Sequence, residues 1–277
     1  MADRPDNRIV FLHLFKCGGT TVIERLKARL GAGAVLQVRD VRAFDEELNR
    51  DPRAVDRFSA VVGHLSLPLL EAHFADCAWV TVVRDPVDRM LSQYHHFRGE
   101  VGTLAASDGE AERDHDFRAR FCAQNDLLAF VTSEDPRLTV YTRNYMTRKL
   151  AGVTRRRRAQ LGEKALSTAI ANLSRFAAVG TTDTLDAEFL PALDALAGRR
   201  GTLVDRLRRR ANVSASRRSG RPPLDGDALD AIIAHNTADI ALYAAARWFD
   251  PSRPSASLAQ RPENHQAGPA TPPPEVR

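Results

Sequence analysis

Between Arg8 and Leu14 the chain runs Arg-Ile-Val-Phe-Leu-His-Leu, and directly afterwards it turns polar and glycine-rich at Lys16-Cys-Gly-Gly-Thr-Thr21. From Thr20 the apolar positions change period, falling at Val22, Ile23, Leu26 and Leu30. A continuous apolar run followed by 3.6-residue spacing predicts a strand, a tight loop and an amphipathic helix. Ala34 to Val38 and Ser59 to Gly63 are further short buried-strand candidates, and Cys77 to Val83 (CAWVTVV) is a continuous run bounded by Arg-Asp-Pro. Pro86 stands at the first turn of a helix that Asp85 can cap, and helical spacing continues from Val87 to Gly99. From Glu112 to Phe176 the period is helical with interruptions. Ala177 to Gly180 predicts one more strand, followed by a helix to about Ala197. Asp225 to Phe249 predicts a last helix carrying Leu229, Ile232, Ile233, Ile240, Leu242 and Trp248.

Strands alternating with helices predict an α/β protein, a P-loop-like three-layer fold with a central, mainly parallel sheet of about five strands flanked by helices. At 277 residues and 43% apolar, the chain has enough material for one good-sized core, expected over residues 1–250. Beyond it the composition changes. Pro251 to Arg277 holds seven of the fifteen prolines and almost no large apolar residue, so it cannot offset its ordering entropy by burial, and a disordered Pro-rich tail is expected.

No run of eighteen uncharged apolar residues occurs, and Met1 to Arg8 is charged with no apolar segment behind it. Neither a membrane span nor a secretory leader is expected, and the expected location is the cytoplasm. Cys17, Cys77 and Cys122 are far apart and form no C-x-x-C pair, which speaks against a disulfide framework or a zinc site. The net charge of +5 favours anionic partners without identifying them. Only four of the forty cationic residues are lysines, so a lysine beside paired glycines at Lys16 stands out.

Glycines between a strand and a helix let successive backbone N–H groups and the helix N-terminus surround an anionic, phosphate-like group. Lys16 adds a movable point charge to that cradle. The order is not that of a Walker A loop, in which the lysine follows the glycines. Taken alone, Lys-Cys-Gly-Gly-Thr-Thr is also compatible with an ordinary βα turn. The second motif is Val83-Arg-Asp-Pro-Val-Asp-Arg-Met-Leu-Ser92. Arg84 lies at the carboxyl end of a predicted central strand, where open α/β sheets bind ligands, and Ser92 falls two turns into the next helix. Arginine's planar fork suits a terminal phosphate. Arg89, four residues after Asp85, is expected to form a structural ion pair with it. His95 and His96 face two sides of one helix, and no metal site is expected.

Carrying these motifs in this order, the chain resembles the family 2 sulfotransferases, relatives of heparan sulfate 2-O-sulfotransferase. Phe11 to Thr21 is similar to their 5'-phosphosulfate loop and Val83 to Ser92 to their 3'-phosphate motif. Further matches in order are Gly63-His64, Asn144 to Gly152, Phe176 to Gly180, Asn212-Val-Ser214 with Arg217, and the segment Asn236 to Phe249. The resemblance implies sulfuryl transfer from 3'-phosphoadenosine 5'-phosphosulfate (PAPS), without a metal, to a hydroxyl of a carbohydrate or other small-molecule or glycoconjugate acceptor. It implies Lys16 on the phosphosulfate and its bridging oxygen, with Cys17, Gly18, Gly19, Thr20 and Thr21 around the 5' end. It places Arg84 and Ser92 on the 3'-phosphate, Ser214 and Arg217 in a loop closing over the nucleotide, and His64 as catalytic base. Phe15 and Cys17 depart from the family's usual Pro and Thr. The cysteine is expected either to weaken donor binding or to open the site to thiol reagents.

Two rival readings remain at this point. A P-loop nucleotide kinase shares the strand, loop and helix but not the glycine-lysine order. A nucleic-acid-binding module would use Arg155 to Arg158 and the Arg206 to Arg221 cluster, but 6% aromatic residues and no recognised nucleic-acid motif count against it.

Overall fold

The computed structural model describes residues 8–101, 110–153, 163–198 and 224–249. The expected tail, Arg155 to Arg158, Ser214 and Arg217 lie outside the described residues. The strands are β1 (Ile9–Leu12), β2 (Val35–Val38), β3 (Ala60–Gly63), β4 (Ala78–Val83) and β5 (Ala178–Thr181). They form one parallel sheet in the order β2-β3-β1-β4-β5. The expected mainly parallel sheet is therefore parallel at every pairing. β1, β3, β4 and β5 are buried at every position, as strands covered on both faces must be.

The two sheet faces bury different helices. Ile9, Phe11, Val62 and Val80 pack with Val22 and Leu26 of α1 (Gly19–Leu30) and Leu193 of α10 (Leu190–Leu196). Val10, Leu12, Val61 and Trp79 pack with α2 (Val41–Arg50), α3 (Leu67–His73), α8 (Tyr145–Leu150) and α9 (Glu163–Leu173). A third cluster joins α4 (Pro86–Gly99) to α6 (Leu127–Thr132), α7 (Pro136–Thr142) and α11 (Gly226–His235). There α4 also lies against α5 (Glu110–Gln124).

The long terminal helix expected from Asp225 to Phe249 is instead two helices, α11 and α12 (Thr237–Arg247), broken at Asn236. The reason is tertiary. The buried Asn236 side chain donates to the carbonyls of Thr142 and Ile232, and its Oδ1 accepts the Asn144 N–H, so it is drawn sideways out of a continuous helix. Trp248, expected on the apolar pattern, is 90% exposed. Asn144, at a left-handed φ of 44°, caps α12 by accepting from Ala238 and Asp239. In return the buried Asp239 carboxylate caps α8 by accepting from Met146 (3.1 Å) and Thr147 (2.7 Å).

The expected Asp85–Arg89 ion pair is replaced by another arrangement. Asp85 caps α4 through the N–H groups of Val87 and Asp88. Arg89 is fully buried, donates from Nη2 to the Tyr141 carbonyl at 2.7 Å and lies 5.2 Å from the centre of the Tyr145 ring. The Tyr141 carbonyl takes a donor that an ion pair would have used, and burial against an aromatic face suits arginine's weak hydration. Among the described residues no helix is long and apolar enough to cross a membrane.

Candidate functional site

In this strand order β1 sits between β3 and β4, so the loops leaving β1, β3 and β4 open at one place, the crevice where parallel sheets bind ligands. Those loops carry His13 to Gly18, His64 and Arg84. Lys16 and Gly18 both take left-handed backbone angles, φ 63° and 74°, which winds the loop tightly into α1. α1 has no side-chain cap, leaving the first-turn N–H groups of Gly19, Thr20 and Thr21 facing outward from the helix start. Thr20 is exposed and Thr21 half-buried.

Gly19 is required by the His13 imidazole. A Cβ there would lie 1.8 Å from His13 Nε2. Gly19→Ala is therefore expected to displace the imidazole or the loop, costing about 1–3 kcal/mol. Thermal unfolding of the variant beside the native protein checks this.

Lys16 and Arg84 meet at the mouth of the loop, where Arg84 Nη1 donates to the Lys16 carbonyl at 3.1 Å. Burial first, and the Arg84 charge second, hold the Lys16 ammonium below its usual pKa, while Glu100 pulls it back up. Two cations held together against their repulsion mark a place that an anion would stabilise. Ser92 is half-buried on α4, two turns after Asp85.

Cys17 turns away from this mouth. It is fully buried, its N–H donates to the Leu14 carbonyl at 3.2 Å, and its Sγ lies 3.5 Å from the Phe15 carbonyl and 3.9 Å from Met146 Sδ. Burial pushes its thiol up to about 12, so the thiol is neither exposed nor ionised at neutral pH. The expected access for thiol reagents is not met.

His64 follows β3 and is held on three sides. Its Nδ1 lies 2.7 Å from the His13 carbonyl, which can only accept, so Nδ1 carries the proton and Nε2 the lone pair. Its ring stacks on His13 at 4.4 Å and on Phe15 at 3.7 Å. Burial brings its pKa down to about 4 despite the carbonyl bond, and the Lys149 charge acts in the same direction. His13 is brought down to about 3 by burial, by His64 and by Lys16.

Several residues here carried no assigned role in the sequence. Tyr145 accepts the Phe15 N–H at 3.2 Å and so ties α8 to the loop. Glu100 lies 3.3 Å from His96 Nε2 and 2.7 Å from His115 Nε2. His96 is held below its usual pKa by burial first and then by Lys16, so this group faces the same mouth. The Asn144 to Gly152 motif signalled Tyr145. Nothing in the sequence signalled His115, because only the packing of α5 on α4 brings it to Glu100. A cavity of about 290 Å³, lined by Phe15, Tyr141, Tyr145, Arg148 and Lys149 among others, opens beyond the Phe15–His64 stack. Among the described residues no group of three His, Cys, Asp or Glu side chains could hold a metal.

A glycine loop and an uncapped helix start beside Lys16 and Arg84, at the crevice of a parallel sheet, define an α/β protein with the arrangement that such folds use for phosphate-type anions. The family model described as "Sulfotransferase family" matches residues 1–155 of the 277. The chain therefore belongs to the sulfotransferase family. No curated protein matches it significantly. Among solved structures it is similar to mouse sulfotransferase SULT7A1 complexed with PAP, at 15% identity and a TM-score of 0.41, over 79% of this chain and 68% of that one.

Proposed function

We propose that the chain moves the sulfuryl group of PAPS to a hydroxyl of a carbohydrate or other small-molecule or glycoconjugate acceptor, with His64 as general base. The observation that carries this reading is the meeting of Lys16 and Arg84 beside the open start of α1. One nucleotide carrying a phosphosulfate and a separate phosphate calls for two cations at one mouth. The residues present fit it. Gly18, Gly19, Thr20 and Thr21 would hold the 5' end, and Arg84 and Ser92 the 3'-phosphate. Cys17 would contribute only by shaping the loop.

When bound, PAPS supplies an activated sulfuryl group, and the protein supplies positioning and charge. His64 Nε2 accepts the acceptor's hydroxyl proton as the new oxygen–sulfur bond forms. Lys16 Nζ donates to the bridging oxygen on which charge gathers as the old bond breaks. The products are then a sulfate ester, 3'-phosphoadenosine 5'-phosphate (PAP) and a proton on His64.

Titration of PAP into the native protein, Lys16→Ala and Arg84→Ala tests the reading. Each variant is expected to weaken binding by about ten- to a hundredfold, the scale of a charge-assisted contact. Native affinity in both variants would count against the site.

The low basicity of His64 also sets the acid limb of kcat/KM. Its neutral form is lost only as pH falls through about 4, so activity should persist below pH 6.5, where an unshifted histidine would already be half protonated. The titratable groups facing it are His13, neutral above about pH 3, and Lys149. A pH profile of transfer from radiolabelled PAPS reads this directly, and an acid limb near 6.5 would contradict it.

A further inference from the structure

Resting on the sulfuryl-transfer reading above, we infer that the cavity beyond Phe15 seats the acceptor as a single ring with an apolar face and an anionic substituent, and that Phe15 and Lys149 set this choice.

Size speaks first. About 290 Å³ lies just below the roughly 300–1,000 Å³ usual for ligand sites, enough for one ring.

The lining speaks next. Phe15, Tyr141 and Tyr145 bring three aromatic rings to one cavity, the surface that a sugar's C–H face or an aryl ring covers. Among the described lining residues there is no carboxylate, and the charged ones are Arg148 and Lys149. Arg148 is fixed in place, with Nη2 donating to the Val140 carbonyl at 2.6 Å. The Lys149 charge reaches His64, which it makes less basic. A ring bearing a carboxylate, sulfate or phosphate would meet charge where it needs it.

Position completes the case. Phe15 presses one face on His64 at 3.7 Å, with the planes 17° apart, and also lines the cavity. Phe15 therefore stands between the cavity and the imidazole, and a hydroxyl of an acceptor seated there reaches the base only by passing the edge of Phe15. The tight His13–His64–Phe15 column keeps both imidazole faces covered and leaves only the ring edge for proton transfer. Phe15 thus determines both which face the acceptor presents and where its hydroxyl falls.

Sugar acids and hydroxyaryl acids share this chemistry, and the test separates them. Transfer from radiolabelled PAPS is measured to methyl glucuronide, methyl glucoside, 4-hydroxybenzoate and 4-hydroxybenzyl alcohol, with PAP affinity measured on every variant. One of the two acids should be labelled with a KM about tenfold or more below that of its neutral counterpart. Lys149→Gln should abolish the preference. Phe15→Ala should raise KM for the acid about tenfold, with Phe15→Leu, which keeps the apolar volume without the flat face, falling between; PAP affinity should stay within about twofold in all three. Equal or better transfer to the neutral rings overturns the proposal, as does no transfer to any of the four by protein that binds PAP. Failure of the native protein to bind PAP would instead bring down the sulfuryl-transfer reading beneath it.

Discussion

Replacing His64 by alanine is expected to lower the rate of sulfuryl transfer about 10²- to 10⁴-fold, the usual worth of a positioned general base, while PAP affinity changes little. The difference is expected because His64 lies at the end of β3, while the cradle is built by the β1 loop and α1. Alanine also empties the middle of a three-ring column, so a fall in rate by itself would not separate chemistry from packing. His64→Phe makes the separation. It keeps a ring between His13 and Phe15 but has no nitrogen to accept a proton. Both variants should be equally slow with near-native PAP affinity. Substantial activity in His64→Phe would show that the imidazole is not the base, and Glu100 with its two flanking histidines would become the group to examine.

The largest loss of stability is expected at Asp239, far from any catalytic step. Its buried carboxylate accepts the N–H groups of Met146 and Thr147, the orphan donors at the start of α8. Asp239→Ala leaves both donors buried without a partner, at about 1–3 kcal/mol each and so roughly 2–6 kcal/mol together. Against a typical total of about 5–15 kcal/mol this is a large fraction. Urea unfolding measures it, and a loss below about 1 kcal/mol would show that the donors find other partners. Asp239→Asn should cost less, because its amide oxygen still serves one donor while its NH₂ group opposes the other. Any folded fraction should also bind PAP less well. α8 carries Tyr145, whose hydroxyl holds the Phe15 N–H, so loosening the cap loosens the loop that presents Lys16.

Much of this was legible along the chain because the signals were local. β1, β3, β4 and β5 are short runs buried at every position, and burial on both sheet faces leaves no polar alternation to confuse the period. The cradle was legible for the same reason, since the left-handed angles at Lys16 and Gly18 and the close approach of His13 to Gly19 are demands of a few consecutive residues. The break at Asn236 was not, because its cause lies in the carbonyl of Thr142 and the N–H of Asn144, more than ninety residues away. Arg89 was misassigned on a sound local rule. An Asp four residues ahead of an Arg pairs on an exposed helix, but here the guanidinium is buried under Tyr141 and Tyr145.

By its order of residues alone, the chain determined an α/β alternation, a glycine loop between a strand and a helix, and an arginine at the end of the fourth strand. Hydrophobic period and backbone sterics act over a handful of neighbours, so these could be read directly. Only the tertiary structure decided that Lys16 and Arg84 share one mouth, that Cys17 faces the core, and that His64 is gripped between His13 and Phe15 in one tautomer. Charge repulsion, desolvation and ring stacking depend on distances between segments, and those distances exist only once the sheet has brought the loops of β1, β3 and β4 together.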